Sequence, residues 1–222
     1  MSFEIQNHIL FRYKAENQET HVIIPDGVEI IGRQSFFWSK YLEVLTIPPS
    51  VRVIENNAFE RCRDLKEIRI TEGIEHVEQY AFRDSMRIQR LIYRNRPVLM
   101  NHVHICMALE ILFHKNLRSG MCLPEVIRYD MVKAMFLEEP DNKKIIKYMQ
   151  KDFLRVWLYM IENNHCECLE KMLESGEFVN QKNIDTMILY AIKNQKYQIQ
   201  LMLTDYKRQK GWYQEIDQKL KL

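Results

Sequence analysis

A short segment concentrates side chains that could bind zinc. His102, His104 and Cys106 lie at alternate positions, and His114 and Cys122 follow further along the chain. Imidazole nitrogen and thiolate sulfur are ligands that zinc prefers. On a strand the first three residues would share one face, but on a helix they would not converge. Because no Cys-x-x-Cys pair or HExxH motif accompanies them, we predict no metal site and no cofactor.

A second cluster of reactive side chains occupies residues 165–168, which run His-Cys-Glu-Cys. A reactive cysteine needs a lowered pKa, and no neighbouring group in the sequence would lower it. Cys168 also matches Ile199 in a repeat described below, which predicts a core residue. The sequence contains no GxSxG, P-loop or GxGxxG motif. We therefore predict that the protein is not an enzyme.

Arginines are concentrated between residues 83 and 96, where Asp84 is the only acid. We call them the arginine edge: Arg83, Arg87, Arg90, Arg94 and Arg96. One interpretation is a solvated edge with salt bridges to the second half of the chain. The other is a docking patch for an acidic peptide or a phosphate group, because guanidinium groups bind both in paired fashion. Charge reversal at Arg87 and Arg90 would distinguish the two.

The elements that position these side chains follow from a repeat at a 23-residue step. The step links Ile24, Ile47 and Ile70, and it also links three phenylalanines, Phe36, Phe59 and Phe82. In each unit the apolar residues first alternate, which predicts a short strand with one buried face. A turn, a second apolar pair and a short helical turn with the phenylalanine follow. We expect the three phenylalanine rings to stack through the core.

The repeat resembles the BspA-type bacterial leucine-rich repeats. Their consensus combines an Ile-Pro pair, a Val-x-x-Ile-Gly stretch, Ala-Phe and Cys-x-x-Leu. Residues 24–32 and residues 51–65 carry most of it, the third unit departs at Thr71, and the fourth lacks Ala-Phe. We interpret the fourth strand, residues 90–93, as the seam to the next domain. The segment Ile9 to Tyr13, with a polar turn at residues 16–20, predicts a capping strand pair. The resemblance implies a solenoid, in a family thought to mediate interactions.

Past residue 97 the pattern changes to helical spacing. Pro124 and Glu125 can begin a helix that Pro140 ends, with an apolar face. That face comprises Val126, Tyr129, Val132, Met135 and Phe136. A weaker repeat at a 31-residue step then links Asn163 to Asn194 and Met172 to Leu203. Each unit predicts an antiparallel helix pair joined by a short turn, with Leu201 among the apolar positions of the second pair.

Residues 183–207 resemble the ankyrin-like helical tail of many bacterial proteins of the same leucine-rich class, although the Thr-Pro-Leu-His signature is missing. We predict an α+β protein with two domains. Residues 1–96 form a capped leucine-rich repeat β-solenoid of 23-residue units, and residues 97–222 form a helical, ankyrin-like array.

The composition is typical of a folded globular protein, and the net charge is small. The formal net charge is +2, 46% of the residues are hydrophobic and 28% are charged. Since basic and acidic residues nearly balance in both halves of the chain, we predict no nucleic-acid partner. The N-terminus lacks a secretory signal pattern, and no apolar run is long enough for membrane insertion. Five cysteines, an odd number with irregular spacing, favour a reducing compartment. We predict a cytoplasmic protein, and secretion by another route stays open.

The predicted binding surface is the exposed side of the strand ladder, which we call the strand strip. It consists of two columns at the repeat step, Ile23, Thr46, Arg69, Ile92 and His21, Val44, Glu67, Arg90. Solenoids use such rigid, repeated surfaces for recognition. The alternative is a strip that is merely solvated or covered by the helical tail.

We predict a protein-interaction module, an adaptor or scaffold with a protein partner of unknown identity. The alternative is a secreted or surface adhesin or effector that binds host protein. Oligomeric state stays open.

Overall fold

The computed structural model describes residues 1–114 and 123–213. Residue contacts divide the chain into two compact units, Met1–Ala134 and Met135–Leu222. The first unit holds a β-solenoid of about four turns, and seven helices follow the strands within the described ranges. The predicted domain boundary after residue 96 stays a prediction.

The strands of the first unit form two sheets. The first sheet has the order β1-β2-β4-β6-β8 and the second has the order β10-β9-β7-β5-β3. The strands of the first sheet are β1 Ser2–Gln6, β2 Ile9–Lys14, β4 Ile30–Ile31, β6 Val53–Ile54 and β8 His76–Val77. Those of the second are β3 His21–Ile23, β5 Val44–Ile47, β7 Glu67–Ile70, β9 Arg90–Tyr93 and β10 Arg96–Leu99.

Parallel pairing in the second sheet has the register that the 23-residue step predicts. Val22 lies opposite Leu45, Leu45 opposite Ile68, and Ile68 opposite Leu91. All four side chains are buried. Since side chains alternate along a strand, the flanking residues of each strand face away from this core. The repeat therefore places two columns of outward-facing residues side by side.

An aromatic column runs through the solenoid core, as predicted. Phe36 stacks on Phe59, and Phe59 stacks on Phe82, with ring centroids 4.9 Å apart in both pairs. Tyr13 extends the column beyond the repeat and stacks on Phe36, also at 4.9 Å. Offset stacking at this distance is favourable beyond the burial of the rings. The repeat does not predict Tyr13 as part of the column, because Tyr13 lies in the cap, outside the repeated units.

The connections between strands are tight turns and contain no helix. The segment around Phe59 was predicted as a helical turn, but Asn57 and Arg61 have φ angles of 60° and 59° and interrupt a helical path. Gly73 has a φ of 105°, and a Cβ atom there would lie 2.3 Å from the backbone oxygen of Pro49. Only glycine fits this turn, since it has no Cβ atom.

Both ends of the solenoid are capped, but not as predicted. β2 was predicted correctly, yet its antiparallel partner is β1, which precedes it, whereas the chain after residues 16–20 enters the other sheet. At the far end β9 is followed by β10, which pairs with it antiparallel. Helix α1, Ile105–His114, contacts β8. The fourth strand is therefore followed, within the first unit, by a further strand and a helix.

The helix after Pro124 has the predicted limits. α2 spans Glu125–Glu138, so that it begins after Pro124 and ends before Pro140. Val126 was assigned to the buried face but is 50% exposed. Burial on this helix covers most of its circumference from Ile127 onward, so a single apolar stripe does not describe it.

The second unit contains two helix pairs at a 31-residue step. After α3, Lys143–Lys151, come α4, Phe153–Glu162, and α5, Cys166–Ser175, and then α6, Ile184–Lys193, and α7, Tyr197–Gln209. The turns between the paired helices match. Asn163 Nδ2 donates to Tyr159 O and Asn194 Nδ2 donates to Tyr190 O, both at 2.9 Å. The predicted repeat is confirmed as helix pairs, but Leu201 is 62% exposed and is not a core residue. An ankyrin-like arrangement stays a prediction.

Candidate functional site

The strand strip consists of neighbouring residues on four parallel strands. Ile23, Thr46, Arg69 and Ile92 pair in register across β3, β5, β7 and β9. The second column of the strip has the same pairing: His21, Val44, Glu67 and Arg90. Each inward neighbour is fixed in the core, so the backbone beneath the strip is held rigidly. A ligand would meet a surface that needs little ordering on binding.

Exposure is uneven along the strip. Ile23 is 62% exposed, Thr46 and Ile92 are half-buried, and Arg69 is exposed. Glu67 is buried although it carries a charge. An isoleucine with this exposure contributes little to the fold, and Ile23 adjoins the half-buried Val44 and Thr46; contiguous apolar surface of this kind can mark a contact site. β3 is also the last strand of its sheet, so Ile23 lies at an edge.

The charges of the strip form a small network. Glu67 accepts from Arg69 Nε at 2.6 Å through one oxygen and from Arg90 Nη1 at 3.2 Å through the other. The two pairs hold both guanidinium groups beside Glu67. Each arginine side chain is at least half exposed, so each pair stabilises the fold by no more than about 1 kcal/mol.

The arginine edge is not a free cationic cluster. Arg87 pairs with Asp64 at 3.0 Å, Arg90 with Glu67 at 3.2 Å, and Arg94 with Glu72 at 3.3 Å. These acids belong to the preceding turn of the solenoid, because the repeat places each residue beside the one 23 positions earlier. A window of sequence between 83 and 96 therefore could not reveal them.

The two remaining arginines of the edge differ from each other. Arg83 is exposed and forms no ion pair with the described residues, whereas Arg96 is half-buried at the start of β10. The described salt bridges of the edge connect successive turns of the solenoid. Docking at the arginine edge stays a prediction.

A surface that the sequence did not predict lies on the turns that follow the phenylalanine column. A groove of about 960 Å³ is lined there by Trp38, Lys40, Arg61, Arg63, Met86 and Arg87, together with Asp64 and Asp84. We call it the turn-face groove. Comparison of the repeat units could have found it, since Trp38, Arg61 and Asp84 occupy one position of the repeat and differ completely in chemistry.

The candidate zinc ligands do not converge in the described residues. Among residues 1–114 and 123–213, no three His, Cys, Asp or Glu side chains could hold a metal ion together. His104 Nδ1 lies 2.7 Å from Asn101 Oδ1, and Cys106 Sγ donates to Gln79 O at 3.5 Å. α1 begins at Ile105, so these residues do not form a strand. The side chain of His114 and the whole of Cys122 lie outside the described residues.

The cysteines of the second cluster lie at the start of α5. Cys168 is buried, as its equivalence to Ile199 predicted. Burial, as the largest cause, raises the pKa of Cys166, and it raises the pKa of Cys106 to about 11. A raised pKa leaves the thiol protonated at neutral pH, which disfavours nucleophilic or redox chemistry at either position.

In the described ranges, no helix is both long enough and apolar enough to span a membrane.

Comparison with known proteins agrees with the fold of the first unit. The family model that matches is described as a BspA type leucine-rich repeat region of six copies, and it covers residues 8–101. No curated protein and no solved structure matches the chain. The matched segment includes every strand from β2 to β10. Residues 8–101 are therefore a BspA-type leucine-rich repeat region, folded as a β-solenoid.

Proposed function

We propose that this protein is a non-enzymatic interaction module that binds a protein partner through the strand strip. Leucine-rich repeats generally mediate protein–protein interaction. The observation that supports this surface is Ile23, which is 62% exposed on a strand whose neighbours are fixed in register. Together with the adjoining Val44 and Thr46 it forms a small apolar surface, and a contact with a partner accounts for that surface.

The chemistry of the strip suits a protein better than a nucleic acid. Apolar Ile23 and Val44 lie at one end, and the network of Arg69, Arg90 and Glu67 lies towards the other. An apolar anchor beside fixed charges is the usual composition of a protein interface. A nucleic-acid surface would instead need a row of unpaired cations, and both arginines here already contact a carboxylate.

The finer role, adaptor or scaffold, rests on the helix pairs of the second unit. Two units at a 31-residue step suggest an ankyrin-like array, a second type of repeat that commonly binds proteins. A protein with two repeat arrays could hold two partners at once. We propose the cytoplasm as its compartment. Detection at the cell surface, with host protein bound, would favour the adhesin or effector role instead.

The test is affinity capture from a lysate of the source cells with wild type and Ile23→Glu. We expect the variant to retain less than about a tenth of the captured partner, since a charge at the anchor must be desolvated on binding. A second variant, Arg69→Gln, should also capture less partner than wild type, and it places no new charge beside Glu67. Circular dichroism melting curves check that each variant is folded.

The matched control is Ile5→Glu. Ile5 is also an exposed isoleucine of the solenoid, 42% exposed, but it lies on β1 in the other sheet. Equal loss of partner in Ile5→Glu and Ile23→Glu would contradict the strand strip as the binding surface. Unchanged capture by a folded Ile23→Glu variant would contradict it as well.

A further inference from the structure

The turn-face groove combines exposed apolar side chains with cations. Trp38 is 52% exposed and Met86 is 66% exposed. Lys40 Nζ lies 5.4 Å from the centroid of the Trp38 ring. A large aromatic ring beside a cation is typical of sites that anchor one side chain of a ligand. This groove shares no residue with the strand strip, so the inference below does not rest on the proposed function.

The backbone conformation of Trp38 adds to the argument for a role in binding. Trp38, Arg61 and Asp84 occupy the same repeat position and have φ angles of 53°, 59° and 57°. Asparagine, aspartate and glycine adopt this left-handed region readily, whereas a bulky side chain does so rarely. Asp84 therefore suits its turn, but Trp38 does not. Arg61 and Tyr41 adopt the same region, so strain alone does not mark a binding residue, but Trp38 combines it with an exposed aromatic ring and a place in the groove.

The charges of the groove are unbalanced towards the positive. Arg87 is paired with Asp64 at 3.0 Å, and Arg61 Nε is 3.7 Å from Asp84. Lys40 and Arg63 line the same groove and form no ion pair within the described residues. These two cations leave the groove with a net positive charge that a ligand could neutralise. An anionic ligand is therefore favoured over a neutral or cationic one.

We propose that the turn-face groove binds an acidic peptide segment through one aromatic or large aliphatic side chain. The apolar side chain of the peptide lies against Trp38 and Met86. Its flanking carboxylates accept hydrogen bonds from Lys40 and Arg63. The groove is thus a second docking surface of the solenoid, with its own class of partner.

A peptide fits the groove better than single-stranded nucleic acid does. Asp64 and Asp84 both line it. A phosphodiester backbone carries a charge at every nucleotide and would place phosphates beside these carboxylates. A peptide can space its acids to avoid them and can donate backbone N–H groups to them. Trp38 is also the only aromatic side chain among the described lining residues, whereas single strands are bound by successive stacked bases.

The experiment measures the fluorescence anisotropy of short, fluorescein-labelled peptides with the full chain. One peptide has a central phenylalanine flanked by glutamates, a second has glycine in place of phenylalanine, and a third has lysines in place of glutamates. Only the first should bind, with an affinity that falls as NaCl rises from about 50 to about 300 mM. A labelled oligouridine serves as the nucleic-acid probe.

Two variants with matched controls locate the site. Trp38→Asn should weaken binding at least about tenfold while leaving the melting temperature unchanged or higher, because asparagine accepts the left-handed backbone. Tyr41→Asn is its control: Tyr41 has a φ of 65° and is 46% exposed, but it does not line the groove. Arg63→Ala should also weaken binding, whereas Arg12→Ala, on β2, should not.

Three outcomes would overturn the proposal. The first is no binding of the acidic phenylalanine peptide at low salt. The second is equal affinity of wild type and a folded Trp38→Asn variant. The third is binding of the oligouridine that depends on Trp38, with no binding of the peptides.

Discussion

A single position of the repeat shows how one side chain joins the turns of the solenoid. Ser39, Cys62 and Ser85 are buried beneath the phenylalanine column. Ser85 Oγ donates to Phe59 O at 2.6 Å, and Cys62 Sγ donates to Phe36 O at 3.2 Å, one turn earlier in each case. Phe36 O also accepts from Ser39 N, and Phe59 O from Cys62 N, so the small donor adds a hydrogen bond between turns to a carbonyl that is already bonded within its own turn. This bond between turns accounts for a small donor, cysteine or serine, at a core position.

Because Cys62 is buried, the stability of the protein depends on pH at high pH through this thiol. Burial raises the pKa of this thiol from 9.0 to about 12. The folded state therefore retains the proton more tightly than the unfolded state. The stabilisation is complete below pH 9, and it decreases as the pH rises from 9 towards 12, because the unfolded chain then loses the proton first.

We expect wild type to lose about 1.5 kcal/mol more stability than Cys62→Ser between about pH 8 and about pH 10. Serine preserves the hydrogen bond to the preceding turn, as Ser85 does, but does not titrate. Urea denaturation at both pH values measures the difference. Other groups that titrate are common to both proteins and cancel. Parallel pH profiles of the two proteins would show that the thiol is not desolvated in the folded state.

Among the elements, the phenylalanine column and the parallel strands depend on each other. The strands are short, four residues or fewer in every parallel turn after β2, and cannot be stable alone. The stacked rings of Phe36, Phe59 and Phe82 set the spacing of successive turns at 4.9 Å, close to the distance between strands in a sheet. One spacing thus serves both the hydrogen bonds and the aromatic contacts.

Removal of the central ring should test this dependence. Phe59→Ala is expected to lower the free energy of unfolding by about 3–5 kcal/mol, because Phe59 is fully buried between two rings. The control is Phe37→Ala, at a neighbouring turn, where the ring is 40% exposed and should cost less than about 1 kcal/mol. Denaturation in urea, followed by circular dichroism, gives both values. Similar costs for the two variants would refute the column as a main source of stability.

The elements that the sequence predicted are those that repeat. β5, β7 and β9 and the aromatic column follow from one period, because each unit confirms the pattern of its neighbours. The caps occur once and lack this confirmation. β1 was missed, and β10 contains Pro97, which weakens a strand signal although an edge strand tolerates it. The helix pairs were found through Asn163 and Asn194, whose caps also repeat.

At the scale of the whole molecule, periodicity reveals the architecture more readily than the sites. Buried positions repeat because every turn needs the same core, so residues such as Leu45 and Ile68 identify the fold. Binding positions differ between turns, as Trp38, Arg61 and Asp84 do, and a search for similarity passes over them. Salt bridges between turns are also hidden in a local stretch of sequence. Arg87 and Asp64 are distant in sequence but adjacent across turns, so the arginine edge looked more cationic than it is.

The position at which the first unit ends in the chain can be tested on the whole molecule. The end of the 23-residue repeat predicts a boundary after residue 96, whereas the contacts assign everything up to Ala134, including α1, to the first unit. α1 contacts β8, and Cys106 donates to Gln79 O. Loss of core packing in the solenoid should therefore lower the stability of α1.

Amide hydrogen exchange, measured by mass spectrometry on the full chain, distinguishes the two boundaries. In Phe59→Ala we expect faster exchange in β5, β7 and α1, with a smaller change in α6 and α7. The reciprocal variant is Met172→Ala, in the core of the second unit, which should affect α5 and α7 more than α1. The opposite result would be faster exchange of α1 in Met172→Ala and unchanged exchange of α1 in Phe59→Ala. In that case the boundary lies near residue 96, and the helix belongs to the helical array.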